Sequence, residues 1–322
     1  MDTAIPALAK LGYDGIEIPL KAIFQYGKEK FKTIMKQNGL KVIVMVFTDG
    51  PVVPGAGLVF GGPYPGFTAP TESGESDKDK IVQNHIQVFK EQVEAAQEFS
   101  PYLVNSHSCK DYFTTEMAAQ YFNSVVDWAR SKGFTVHHET HRKRALYSPW
   151  VSRDLVPQID NLTLVADLSH WINVAETDTN DPDLTQVIED FAPRTFHVHC
   201  RVGYDHGPQV PDPRVGQWLA YTEGHERWWD AIWNAAKIRG DAEVCFTTEF
   251  GPPNYQVCHP ESGQPLANIW DVNHWIALRR QERFAELYGR ENTSRLKPSE
   301  TQDETPLTRP GPSILTQRVG FK

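Results

Sequence analysis

A chain of 322 residues with 40% hydrophobic and 23% charged residues has ordinary globular composition and can bury a substantial core, and α/β barrels commonly reach that size as one domain. The formal net charge of -9 at pH 7 argues against a general nucleic-acid binder, which needs a clustered basic face. Four cysteines without CxxC spacing read as reduced thiols, two of them in core strands; no apolar run is of bilayer-spanning length, no charged-then-apolar leader follows Met1, and a cytoplasmic setting is expected.

Taken in chain order, the period of the apolar residues switches between helix and strand. Residues 4–13 have helical spacing, Ile16 to Pro19 form a short strand, 27–38 an amphipathic helix, and 41–47 (KVIVMVF) a continuous apolar strand. The pattern repeats as helix 79–99, strand 102–106, helix 114–131, strand 134–139, helix 148–159, strand 163–167, helix 183–190, strand 195–200, helix 225–239 and strand 243–249. Strands that are nearly all apolar belong to a parallel sheet covered on its outer face. The expected fold is therefore a (β/α)8 TIM barrel over residues 1–290, followed by a polar C-terminal tail over 291–322.

The strand count is one short. The chain opens in what reads as the first helix, so the first strand is lacking or replaced: either the start lies too late, or another segment fills the gap. SILTQRVGF at 313–321 has the β-branched character for it, but its proline-containing approach at 291–312 reads as an extended linker. A tail draped on the surface or disordered is the favoured expectation. Two long connections, 49–78 with Phe60, Tyr64 and Phe67, and 201–224, leave the C-terminal strand ends, where barrel enzymes build their sites.

Four strands end on a potential metal ligand: TVHHE at Glu139, TLVAD at Asp167, FHVH at His199 and VCFTTE at Glu249. Side chains alternate along a strand, so His137 shares the inward face with Glu139 and His197 with His199, and the four ends converge at the barrel mouth. Two glutamates, one aspartate and one histidine form an oxygen-rich set that suits Mn²⁺, Mg²⁺ or Co²⁺ better than structural zinc. Without a cation these acids would repel one another strongly. Capping of the next helix explains any one strand-end carboxylate, but not ligands at four strand ends.

Other groups surround this set. His107, closing YLVNSH, reads as a metal or substrate ligand, while His137 and His197, a layer deeper, read as second-shell support and His138 points outward. His141 and Arg142 follow Glu139, and Arg201 follows His199; they are candidates to hold a substrate carboxylate or phosphate, with a solvated loop as the alternative. Trp171, Tyr204, Phe250 and Tyr255 offer either an apolar wall for a sugar ring or core packing. The chain has no phosphate loop, nucleophile elbow or dinucleotide fingerprint.

Glu139, the Asp167-Leu168-Ser169-His170 step, the His197-Val198-His199 pair, Glu249 and GYDGIEI near the start resemble the xylose isomerase-like TIM barrel superfamily over residues 4–288. That superfamily includes sugar isomerases and epimerases, inosose dehydratases and endonuclease IV. The resemblance implies one divalent ion, Mn²⁺ foremost with Mg²⁺, Co²⁺ or Zn²⁺ as alternatives, held by Glu139, Asp167, His199 and Glu249. It also implies that His170 faces the substrate and that the two glutamates are the acid/base pair on opposite faces of a bound ketose. The chemistry is coherent on its own terms: a divalent ion on a carbonyl and an adjacent hydroxyl acidifies the C–H between them and stabilises the enediolate, one carboxylate removes the proton, and the other returns it.

The expected function is a metal-dependent isomerase or epimerase acting on a sugar, sugar acid or polyol ketone. A lyase or dehydratase using the same site is the alternative, followed by a non-catalytic ligand-binding barrel, against which intact Glu139 and Glu249 argue. An endonuclease IV-like nuclease needs further histidine and Asp-x-His ligands. Thr48-Asp49, Asp205-His206 and Asp212-Pro213-Arg214 stand in their places, and the acidic net charge disfavours DNA. The expected partner is a small carbohydrate-like molecule, with no nucleic acid or membrane; a homo-oligomer is left open.

Overall fold

The computed structural model describes residues 1–49, 77–289 and 296–297, and the backbone of residues 314–320. Eight strands close a barrel in chain order: β1 (Gly15–Pro19), β2 (Lys41–Phe47), β3 (Leu103–His107), β4 (Val136–Glu139), β5 (Leu164–Ala166), β6 (Thr195–Cys200), β7 (Glu243–Thr248) and β8 (Ile314–Gly320). β1 to β7 pair in parallel. β8 runs antiparallel to both neighbours, with Gly15 opposite Thr316 on one side and Thr248 opposite Leu315 on the other.

The tail therefore differs from the favoured expectation at 314–320: it is the closing strand rather than a surface drape. The reason is backbone satisfaction. A seven-stranded open barrel would leave a row of unpaired N–H and C=O groups on β1 and another on β7, and a β-branched segment pairs with both at once. The rest of the 291–312 approach, apart from 296–297, and the 49–78 connection with Phe60, Tyr64 and Phe67, apart from its end residues, lie outside the described residues.

Around the barrel lie α1 (Ala4–Leu11), α2 (Leu20–Tyr26), α3 (Lys28–Asn38), α4 (Lys78–Ala96), α5 (Thr115–Lys132), α6 (Pro149–Leu155), α7 (Leu168–Ala175), α8 (Pro182–Phe191), α9 (Leu219–Arg239) and α10 (Ile269–Tyr288). α2, α7 and α10 have no counterpart in the period reading. The first two span 7 and 8 residues and directly follow β1 and the β5 end. α10 buries Asn273, His274, Arg280 and Gln281 on its inner side, which breaks the apolar stripe. Among the described residues no helix is long and apolar enough to cross a membrane.

Strand alternation sorts the interior from the outer core. Ile16, Ile18, Val44, Val46, Val104, Leu164, Val198 and Phe246 belong to the large apolar cluster shared with the helices. Inside the barrel, Ile43, Leu103 and Cys245 form a small apolar cluster. Glu17, Asn105, His197, His199 and Thr247 are each fully buried and polar. A barrel interior is ordinarily filled with branched aliphatics, so this fully buried polar layer stands out. Cys109, Cys200 and Cys245 are buried and Cys258 partly so.

Candidate metal centre

Parallel strands bring their C-terminal ends to one rim, and the register sets His199 opposite Thr247 and Glu139 opposite Val165, two residues short of Asp167. Ligand atoms of Asp167, His199 and Glu249 lie within 4.8 Å of one another, as do those of Glu139, Asp167 and His170. His199 Nδ1 is 2.7 Å from Glu249 Oε2 and 3.8 Å from Glu139 Oε1. The four residues expected as ligands thus stand together.

Asp167 divides its oxygens. Oδ1 caps α7, accepting from Ser169 N at 3.1 Å and Ser169 Oγ at 2.5 Å, and Oδ2 accepts from Arg201 Nη2. Helix capping is real here, but it uses one oxygen only.

The donor set fits a divalent cation. Glu139 Oε1, Glu249 Oε2 and His199 Nδ1 are buried side-chain atoms that make no well-formed hydrogen bond; they lie beside one another, with Arg201 Nη2 3.4 Å from Glu249 Oε2. Each unsatisfied buried polar atom costs about 1–3 kcal/mol, more when charged, unless a partner arrives. Two carboxylate oxygens and one imidazole nitrogen form a hard donor set for such an ion.

The electrostatics carry the same strain. Burial pushes Glu139 up to about 7; His199 pulls against it, while Glu249 and Glu17 add repulsion. Burial lifts Asp167 to about 7 as well, despite the adjacent guanidinium of Arg201. At Glu249 burial also raises the carboxyl, but Arg201 and His199 outweigh it and hold the group at about 2. His199 is raised well above the usual imidazole range because Glu17, Glu249 and Glu139 overcome the cost of burying its charge.

The other expected site residues occupy distinct places. His107 Nε2 is 2.8 Å from Glu139 Oε2, its ring is stacked on Phe47 at 4.3 Å, and burial, with Arg144 adding to it, lowers it to about 3. His170 is fully buried between two guanidiniums: Arg142 Nε donates to its Nδ1 at 3.0 Å, and Arg201 Nη2 is 2.9 Å from its Nε2. The ring centre of His141 lies 3.9 Å from that of His170 and 4.9 Å from that of His107. Arg142 also donates to Asn173 Oδ1 at 3.1 Å, and Arg201 Nε donates to Ser169 Oγ at 3.1 Å.

His197 lies below His199, with Nε2 2.9 Å from Thr247 Oγ1 and 3.3 Å from Glu17 Oε2. His137 is not brought to this group. Its contacts are Thr163 Oγ1 at 2.7 Å and the stacked ring of Phe196, because it sits toward the N-terminal end of the short β4, away from the rim. His138 points outward against Phe89 and Phe122.

Of the four aromatics offered as a wall, Trp171 and Phe250 are core residues. Tyr204 packs on Trp218 and Tyr221, and Tyr255 covers Arg201, its ring centre 4.4 Å from the guanidinium carbon. Gly203 lets the loop after β6 pass Ser169, since a Cβ there would stand 2.7 Å from the Ser169 carbonyl oxygen. Asp205, His206 and Asp212 join none of the ligand groups found among the described residues.

Sequence reasoning missed Glu17 and Asn105. The period-2 signal for Glu17 is present, because Ile16 and Ile18 face the helices and leave a lone carboxylate pointing into the barrel. What the period cannot show is which residues meet it there.

Solved structures with this architecture include D-psicose 3-epimerase in the presence of D-fructose (15% identity, 88% of this chain and 92% of that chain, TM-score 0.50). An L-ribulose 3-epimerase (16%, 89% and 90%, TM-score 0.49) and the probable 3-DHS dehydratase from Bacillus anthracis (15%, 62% and 67%, TM-score 0.41) are further examples. At 15% identity the likeness to the first of these shows the fold alone. No curated protein matches the chain by sequence. Residues 5–256 match the xylose isomerase-like TIM barrel model, and with the barrel and its rim in place the chain belongs to that family.

Proposed function

We propose that the protein is a divalent-metal-dependent isomerase or epimerase of sugars, sugar acids or related polyol ketones, working by proton transfer. The observation that supports it most is the set of buried ligand atoms without a well-formed hydrogen bond, Glu139 Oε1, Glu249 Oε2 and His199 Nδ1, gathered beside Asp167. Glu139, Asp167, His199 and Glu249 would hold the ion, Mn²⁺ foremost on the hardness of the donors. When bound it polarises a carbonyl and the adjacent hydroxyl and so acidifies the C–H between them.

The rest of the chemistry falls to side chains of this chain. Glu139 and Glu249 are the acid/base pair: one removes a proton as carboxylate and the other delivers one as acid, to a neighbouring carbon or to the opposite face. Arg201 and Arg142 present guanidinium donors, and His107, His141 and His170 imidazoles, for the oxygens of the substrate. Tyr255 over Arg201 offers an apolar surface for a sugar ring.

The test is exchange in D₂O. Protein and Mn²⁺ incubated with a panel of ketoses should place deuterium at one carbon of a substrate, and Glu139→Gln or Glu249→Gln should slow this by about 10²–10⁴-fold. Release of water or an unsaturated product would assign the site to elimination instead. Protein purified without chelator that holds no divalent ion, together with undiminished exchange in Glu139→Gln, would overturn the reading.

A further inference from the structure

Beneath the rim lies Glu17, a carboxylate that the reaction above does not use. Its Oε1 accepts from Asn105 Nδ2 at 2.8 Å and its Oε2 from Thr247 Oγ1 at 2.7 Å. His199 Nε2 lies 3.2 Å from Oε1 and 3.0 Å from Oε2, and His197 Nε2 3.3 Å from Oε2. Asn105 Nδ2 also donates to Glu139 Oε2 at 2.5 Å. The residue is fully buried, so these side chains are its environment.

The inventory of donors decides the arrangement. An amide N–H and a hydroxyl already donate to this carboxylate, which makes it an acceptor, so the His199 nitrogen facing it must carry a hydrogen. That nitrogen is Nε2. The other, Nδ1, faces Glu249 Oε2 at 2.7 Å and Glu139 Oε1 at 3.8 Å. Asn105 occupies Glu139 Oε2 and leaves Oε1 unpartnered on the same side.

We propose that Glu17 is a positioning residue for the metal centre: it locks the His199 ring with Nε2 protonated so that Nδ1 is the ligand, and through Asn105 it turns Glu139 Oε1 toward the same point. The inference rests on the metal-dependent reading and goes beyond it by assigning the ligand atom on His199 and the residue that selects it. A carboxylate behind a ligating imidazole orients the ring and strengthens the donor, and its loss ordinarily weakens metal binding by about 10–100-fold. Glu17→Gln keeps the shape but turns an amide N–H toward an N–H, so the pairing is lost or the ring must change tautomer.

The experiment uses the full chain and Mn²⁺ itself. Its dissociation constant is measured by chelator competition for the wild type, Glu17→Gln and Glu17→Asp, beside the thermal midpoint of each metal-free protein. The expected result is about 10–100-fold weaker Mn²⁺ binding in the variants. Variants that melt lower but bind Mn²⁺ as the wild type does would make Glu17 a packing residue and overturn the proposal. A wild type that binds no Mn²⁺ would overturn the metal reading itself, which separates the two failures. If neither variant folds, ¹⁵N-histidine spectra of the wild type loaded with diamagnetic Zn²⁺ still decide: a histidine coordinated through Nδ1 and protonated at Nε2 is expected for His199, and coordination through its Nε2 would sink the idea.

Discussion

Arg201 shows how a single side chain ties the acids of the rim together. Its guanidinium, 1% exposed, donates to Asp167 Oδ2 and Ser169 Oγ, stands 3.4 Å from Glu249 Oε2 and is covered by Tyr255. Removing one partner of a buried pair leaves an uncompensated charge, at a cost of about 3–5 kcal/mol. Arg201→Ala should therefore lower the unfolding free energy of the metal-free protein, read from denaturant titration, by about that amount. Arg201→Lys should rescue only part of it, because a single ammonium cannot reproduce the Nε and Nη2 contacts together. An Arg201→Ala protein as stable as the wild type would show that Asp167 is neutralised some other way. At this scale the sequence exposed the rim acids and bases through their position at strand ends, but it did not expose the division of labour within one carboxylate, such as the cap on Asp167 Oδ1.

Among the elements, β8 is the one whose removal tests the fold. It pairs with Gly15 to Glu17 on β1 and with Glu243 to Thr248 on β7, so it lies beside the strand that carries Glu17 and the strand that leads to Glu249. A chain truncated before residue 314 would expose both edges, forfeiting ladder hydrogen bonds worth about 0.5–1.5 kcal/mol each and offering edges for association. We expect a lower thermal midpoint and a shift to larger species on size-exclusion chromatography. A truncated chain that melts and elutes as the full chain does would contradict the closure. The seven parallel strands were legible because most are short runs of apolar and β-branched residues between helical segments. β8 was legible only as a possible filler, since pairing across the barrel leaves no mark on the local period.

For the whole molecule, the main lever is the number of buried neutral imidazoles. Burial lowers His107, His137 and His138 to about 3 and His225 to about 4, and it holds His141 and His170 well below 6.5. An unfolded chain protonates these groups below about 6.5 while the fold does not. Their contribution is thus complete above that value and is lost as pH falls toward about 3, by up to about 1.4 kcal/mol per pH unit for each proton.

Glu139 and Asp167 act with the opposite sign. Folded values of about 7 against ordinary values of 4.5 and 3.8 mean that they favour the fold below the ordinary values and lose that contribution as pH rises through about 7. Histidines outnumber them, so denaturant midpoints of the metal-free protein should fall between pH 7 and pH 5. The stabilisation added by Mn²⁺ should instead grow as pH rises through about 7, because the two acids must release protons to bind it. A metal increment that is flat with pH would argue that Glu139 and Asp167 are not ligands.

By itself the sequence determined the parallel strands, the rim on which their ends meet, and the family to which the chain belongs. All three follow from patterns read over a few residues: apolar period, strand-end identity and short motifs. Only the tertiary structure decided that a C-terminal antiparallel strand closes the barrel and that Glu17 stands behind His199. Those facts depend on contacts between distant parts of the chain, 180 and 182 residues in the case of Glu17 with His197 and His199, and such contacts are settled by packing and backbone pairing rather than by local pattern.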